Sequence, residues 1–293
     1  MKSRRGIVRL IGLCALVASP VHAQGARLTI APERPLPGAI VRLRLSGAAV
    51  VDDSIVDIHG RMAGEPLHFM VDARGDYRAI GAVPVDSTTA VSALAIVRRA
   101  SGRVDTLRAS VEPPPLPPPS ERLDVAPRFG QPLDPATAAR VARESARALQ
   151  VGRRSHESPP SWSAPFLRPR ASAISSRFGT GRTFNGRVAS RHLGVDFKGA
   201  VGAPIRAANR GVVALVDTFY LGGRVVYVDH GGGVVTGYLH LSRPLVAAGD
   251  TVERGQTIGL VGATGRVTGP HLHWTARYGT LTVNPLDLVG LER

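Results

Sequence analysis

A mainly β protein in two folded units is what the sequence predicts, and three features predict it. Short runs between residues 26 and 111 alternate apolar and polar side chains. From Ile174 onward further short apolar runs are cornered by glycine, and proline-rich chain separates the two regions. At 293 residues the chain exceeds what one hydrophobic core usually organises, which agrees with two units.

Taken from the N-terminus, residues 1–23 read as an export signal. Lys2, Arg4, Arg5 and Arg9 give a basic start, residues 10–18 are apolar, and Val21-His22-Ala23 places small residues around a cut after Ala23. That apolar stretch is roughly half the ~20 residues a spanning helix needs, so no transmembrane segment is expected in the mature protein. Cys14, the only cysteine, would leave with the signal, so no disulfide is expected.

Residues 24–111 are expected to form a β-sandwich accessory unit, because segments such as 39–45 and 93–97 repeat with period two between Gly, Pro, Asp and Ser turns. Residues 112–169 read as a linker. Its start, Glu-Pro-Pro-Pro-Leu-Pro-Pro-Pro over 112–119, cannot make a helix or a central strand, since proline fixes φ and removes the backbone donor. It is a stiff, extended spacer. Within the linker a helix is expected over about 134–150, with Asp134 as N-cap, Pro135 in the first turn and packing through Val141 and Leu149. Residues 170–293 are expected to be all-β and antiparallel, with strands over 211–217, 224–229, 234–241, 257–261 and 272–278.

Composition bounds the function. Hydrophobic residues at 43% and charged residues at 20% exclude wholesale disorder and a membrane-embedded chain. Formal charge is +15 from 37 basic and 22 acidic residues; loss of the four signal cations leaves 33 against 22, or +11. An exported basic protein suits an anionic partner such as cell-wall polymer or lipid head groups, although arginine also serves as a general solubilising cation. Nucleic acid is not an expected partner: no recognition helix, zinc-finger spacing or interleaved aromatic motif accompanies the charge.

The chemistry gathers in the last third, where five of nine histidines fall between residues 192 and 273. His271 and His273 lie two apart on an expected strand, so both imidazoles face one side while Leu272 enters the core. Alone, that spacing fits two surface histidines equally well. His192 and Asp196 pair an imidazole with a carboxylate, both accepted zinc ligands, across an insert containing Gly194. A straight strand would hold them about 13 Å apart, so the chain has to bend between them. By itself this pairing also describes an ordinary hydrogen-bonded His–Asp pair. Two histidines with one aspartate suit a catalytic zinc, which keeps a fourth position for water, better than a closed structural site.

With Tyr238-Leu239-His240-Leu241 between these two motifs, the sequence resembles the lysostaphin and LytM type of zinc endopeptidase, whose signature is H-x3-D, a later Y-x-H-L, and H-x-H near the end. Ser176-Arg-Phe-Gly179, Val228-Asp-His-Gly231, residues 249–255, Ile258-Gly259 and Gly269-Pro-His-Leu-His273 look like the family's framework turns, so the resemblance covers roughly 170–287. It implies a LytM-like all-β peptidase domain acting on peptidoglycan, one Zn2+ held by His192, Asp196 and His273, and metal-free catalytic roles for His240 and His271. Upstream, Gly64-Glu-Pro-Leu-His-Phe69 and Asp76-Tyr-Arg-Ala-Ile80 look like accessory segments of such enzymes and imply an immunoglobulin-like module that packs against, or limits access to, the catalytic unit. One departure stands out: where the family often continues with an aromatic and a glutamate, this chain has Trp274 and Thr275. His230 reads as structural, ending a strand, while His59, His68 and His156 lack partners in the sequence.

The expected function is therefore a periplasmic or extracellular metalloendopeptidase cutting stem peptides or cross-bridges of peptidoglycan. The competing reading is an envelope protein that keeps the fold but only binds and activates another wall hydrolase. Such relatives usually lack several site residues, and here all five are present.

Overall fold

The computed structural model describes residues 25–48 and 53–291. The expected export signal and its cut after Ala23 lie outside them. Among the described residues no helix is long and apolar enough to cross a membrane.

The first unit holds β1 (Arg27–Ala31), β2 (Ile40–Ser46), β3 (Ile55–Met62), β4 (Glu65–Leu67), β5 (Met70–Val71), β6 (Tyr77–Ala82), β7 (Val91–Arg99) and β8 (Val104–Val111). They make two four-stranded sheets, ordered β1-β2-β6-β5 and β4-β3-β7-β8, with every neighbouring pair antiparallel. The period-two pattern is the cause. In β7, Val91, Ala93, Ala95 and Val97 turn inward and meet Val41, Leu43 and Leu45 of the facing sheet in one core.

The linker departs from expectation in two places. The last proline of the 112–119 run and the four residues after it form β9 (Pro119–Leu123), an edge strand paired in parallel with the second unit, rather than free spacer. An edge position is where proline is tolerated in a sheet. Helix α1 (Pro135–Ser155) starts as the sequence indicates, with Asp134 Oδ1 accepting from the Thr137 amide at 2.9 Å, but it runs five residues beyond 150. Its buried face is Glu144, Ala148, Gly152 and Ser155, whereas Val141 and Leu149 are only half-buried. Packing extends it: Ala148 and Val151 join Phe219, Val225, Tyr227 and Val235 in a small apolar cluster under the second unit's sheet.

The second unit contains β10 (Ile174–Ser176), β11 (Gly181–Phe184), β12 (Val188–Arg191), β13 (Val195–Lys198), β14 (Pro204–Arg206), β15 (Gly211–Phe219) and β16 (Gly223–Asp229). It continues with β17 (Val234–Pro244), β18 (Thr251–Val252), β19 (Thr257–Val261), β20 (His271–Tyr278) and β21 (Leu281–Val283). A ten-stranded sheet runs β10-β13-β20-β17-β16-β15-β18, with β14, β19 and β21 attached at its side. The small sheet β12-β11-β9 lies beside it and brings the linker to the second unit. The mainly β, antiparallel class predicted from periodicity is the class observed.

The two units share packing. Ile40 and Ala82 of the first are buried in the same cluster as Val283, Leu288 and Leu291 of the second. At the far end of β20 from His271, Tyr278 Oη donates to the Pro66 carbonyl at 2.6 Å, and Glu65 accepts from the Thr280 amide at 2.9 Å. His156 closes this contact, with Nε2 3.0 Å from Glu65 Oε2 and Nδ1 2.8 Å from His68 Nε2. His68 and His156 therefore have partners after all, distant in sequence, and His59 lies 2.6 Å from Asp57.

His230 is fully buried after β16, with Nδ1 2.7 Å from the Arg210 carbonyl and Nε2 2.8 Å from Thr236 Oγ1. Burial pushes its pKa down to about 4, only partly opposed by the hydrogen bond to Arg210. Above pH 6.5 folded and unfolded states both hold the ring neutral; below it only the unfolded chain takes up the proton. Stability is thus expected to fall as pH drops from 6.5 to about 4, by about 3 kcal/mol from this group. Urea denaturation at pH 7 and pH 4 would show wild type losing more than His230→Gln by about that amount.

Candidate metal centre

Register builds the site. In the antiparallel pair β13 and β20, Asp196 stands directly opposite His273, and Lys198 opposite His271. Directly opposed residues on one face have Cβ atoms about 5 Å apart, so pairing alone sets the carboxylate beside the imidazole. His192 arrives from the chain between β12 and β13. Gly194 makes room for His273 in a way periodicity does not reveal: a Cβ there would lie 2.6 Å from Cε1 and 2.7 Å from Nε2 of that ring.

Three donor atoms converge. His192 Nε2 lies 3.0 Å from Asp196 Oδ1 and 2.9 Å from His273 Nδ1, and His273 Nδ1 lies 2.7 Å from the same Oδ1. These are the residues that can hold a metal, and all three are largely removed from solvent. The Nδ1 of His192 is 2.8 Å from the Arg177 carbonyl, an acceptor only, so that nitrogen carries the proton. In the neutral ring Nε2 then turns a lone pair toward an anionic oxygen and a second ring nitrogen. Facing lone pairs repel, and a shared cation is the chemistry that reconciles them.

Two further imidazoles border the trio. His240 is buried, its Nδ1 2.8 Å from the Thr264 carbonyl and its ring 4.9 Å from that of His271. It has φ of 64°, in the left-handed region, where β17 carries one extra residue against β16 between Tyr238 and Leu241. Such a bulge re-aims a side chain out of the strand's alternation. His271 Nδ1 lies 2.8 Å from the Gly269 carbonyl, leaving Nε2 3.7 Å from Asp196 Oδ1. Both rings therefore give their Nδ1–H to backbone and present Nε2 to the site.

Electrostatics follow from burial and neighbours. Burial alone would raise the Asp196 carboxyl, but hydrogen bonds and charge from His192 and His273 outweigh it and hold it far below the usual carboxylate range. Burial pushes His273 down to about 4 despite Asp196, and pushes His240 well down, with His271 and His273 adding to the effect. His273 and His240 are thus kept neutral, as metal ligation and proton acceptance require.

Outside the trio lies a network that sequence reading missed. Arg182 of β11 donates through Nη2 to Asp196 Oδ2 at 2.6 Å and through Nε to Glu121 Oε2 at 2.8 Å. Glu121, on linker strand β9, also accepts from Ser176 Oγ at 2.7 Å, and that hydroxyl sits 3.2 Å from His192 Nδ1. One arginine among many and one glutamate behind a proline run carry no sequence signal. A cleft of about 510 Å³ opens over these groups, walled by Leu123 and Val125 of the linker, Phe184, Arg266 and the site histidines.

An all-β domain presenting two imidazoles and one carboxylate to a common point, with two more imidazoles alongside, defines a metallopeptidase-type centre. Residues 190–285 match the model of Peptidase family M23. The chain is 47% identical over 94 residues to the peptidoglycan DD-endopeptidase ShyC of Vibrio cholerae, covering 32% of this chain and 22% of that protein. It is 42% identical over 97 residues to the DD-carboxypeptidase/endopeptidase Mpg of Neisseria meningitidis, covering 33% and 22%. The chain spans about a fifth of the length of these curated relatives. A crystal structure assigned to peptidase M23 from Pseudomonas aeruginosa superposes with a TM-score of 0.65 at 28% identity, covering 88% of this chain and 96% of that one.

Arg182→Ala is expected to weaken the binding of a divalent metal at the trio by roughly 10–100-fold, the usual effect of losing a partner that orients a ligand. Competition against a chromophoric chelator reads the affinity directly, with circular dichroism reporting that the fold is kept.

Proposed function

We propose that this chain is an exported zinc-dependent endopeptidase that hydrolyses peptide bonds in peptidoglycan stem peptides or cross-bridges. The observation that carries the reading is the meeting of His192 Nε2, Asp196 Oδ1 and His273 Nδ1 at mutual distances of 2.7–3.0 Å inside the stretch that matches Peptidase family M23. The name of the Vibrio cholerae relative, a peptidoglycan DD-endopeptidase, supplies the substrate class.

His192, Asp196 and His273 would hold the ion. Bound there, Zn2+ supplies Lewis-acid polarisation of the scissile carbonyl and acidifies water. His240 and His271 perform the proton work. Each has an Nε2 free of backbone partners, so one ring takes the proton of the attacking water. The ring so charged becomes a donor, stabilising the tetrahedral oxyanion and then passing the proton to the leaving amine. Arg182 keeps Asp196 aimed inward by binding its outer oxygen, and Leu123, Val125 and Phe184 wall the cleft with apolar surface. Residues 24–111 serve as an accessory unit that braces the sheet from the other end of β20.

Purified cross-linked sacculi should release soluble fragments with the wild-type protein, lose that release on complete chelation, and regain it with Zn2+. His271→Ala should cut the rate by about 10²–10⁴-fold while still binding metal. Hydrolysis that survives full metal removal overturns the mechanism. Export is read separately: N-terminal sequencing of protein recovered outside the cytoplasm should begin at Gln24.

A further inference from the structure

The cleft contains an unpaired cation. Arg266 lies on the connection from β19 to β20, five residues before His271, with its guanidinium carbon 4.0 Å from the centroid of the Phe184 ring. It is half-buried and lines the same cleft as the site histidines. Among the described residues no carboxylate forms a salt bridge with it. The contrast with Arg182 is direct, since that side chain is flanked by both acids of the cleft wall, Glu121 and Asp196. Four basic residues, Arg182, Arg191, Lys198 and Arg266, face those two acids, so the wall stays cationic even before a metal adds its charge. Burial, and then the charge of Arg182, lower the pKa of Arg266, which marks a cation in surroundings that disfavour it.

The geometry points to Arg266 as a specificity residue that binds a free carboxylate of the substrate peptide close to the scissile bond. This rests on the peptidase reading above and narrows it. A guanidinium placed over an aromatic ring still has N–H groups to offer a planar anion, and a carboxylate matches that fork with two parallel hydrogen bonds. A chain of glycines offers no anion there. Two parts of a cross-linked stem peptide do: the terminal carboxylate of a D-alanine, and the second carboxylate of a diamino diacid.

Three synthetic cross-linked dimers separate the sources: the free acid, the form amidated at the diamino acid, and the form amidated at the terminal alanine. Wild type is expected to lose at least tenfold in kcat/KM on one amidated form relative to the free acid, and the form affected identifies the carboxylate. In Arg266→Met, which keeps an apolar contact for Phe184, that ratio should collapse toward one; Arg266→Lys, which keeps the charge, should retain part of it. Equal wild-type rates on all three dimers, or discrimination undiminished in Arg266→Met, overturns the carboxylate site while leaving the peptidase intact. The wild-type comparison requires no variant to fold. Calorimetric binding of the same dimers to His271→Ala protein divides the other case: tenfold weaker binding of an amidated form, with no hydrolysis by wild type, supports the carboxylate site and overturns the enzyme.

Discussion

The pairing of β13 with β20 is the constraint on which the rest of the site hangs. Because Asp196 faces His273 across that ladder, a carboxylate and an imidazole 77 positions apart are held within 2.7 Å by backbone hydrogen bonds made elsewhere along the strands. Side chains alternate along a strand, so a slip of one residue would send both groups to the core face and bring Leu272 out. Phe197, Leu272 and Trp274, none measurably exposed, prevent that slip by filling the other face. The hydrophobic core thus fixes the register, and the register fixes the donor geometry.

From Asp196 the order spreads outward through charge. Its inner oxygen belongs to the imidazoles and its outer one to Arg182, whose second contact is Glu121 on the linker strand. The proline-rich segment is therefore more than a tether: an acid it delivers sits two contacts from His192 and Asp196. The price of gathering cations and buried rings in one cleft is desolvation, met by giving each site ring except His273 a backbone carbonyl for one nitrogen. Those carbonyls set which nitrogen of each of the three rings faces inward.

At its other end β20 carries the contacts to the first unit, Tyr278 and Thr280 against Pro66 and Glu65. An eight-residue strand spans roughly 25 Å, so one element joins the brace and the His271–His273 end without bringing the sandwich to that end. The cleft is bordered instead by the linker.

Much of this was legible in the residues. Alternation foretold the strands of the first unit, apolar runs between glycine turns foretold those of the second, Asp134 and Pro135 foretold where α1 begins, and the spacing of His271 and His273 foretold that they share a face. These are short-range properties, set by backbone periodicity and capping. The end of α1 was hidden, because its last turn is held by β17 and the chain before it, with Ser155 Oγ donating to the Val234 carbonyl and the Gly233 amide donating to the Ser155 carbonyl. So was the reason for Gly194, which lies in the volume of His273, a neighbour invisible along the chain. His68, His156 and Glu65 looked unconnected, and Arg182, Glu121 and Arg266 looked like any other charges. The sequence by itself determined which side chains could ligate and which face of a strand each would occupy. Only the tertiary structure decided which of them meet, because strand order and register are settled by long-range burial of apolar surface rather than by local preference.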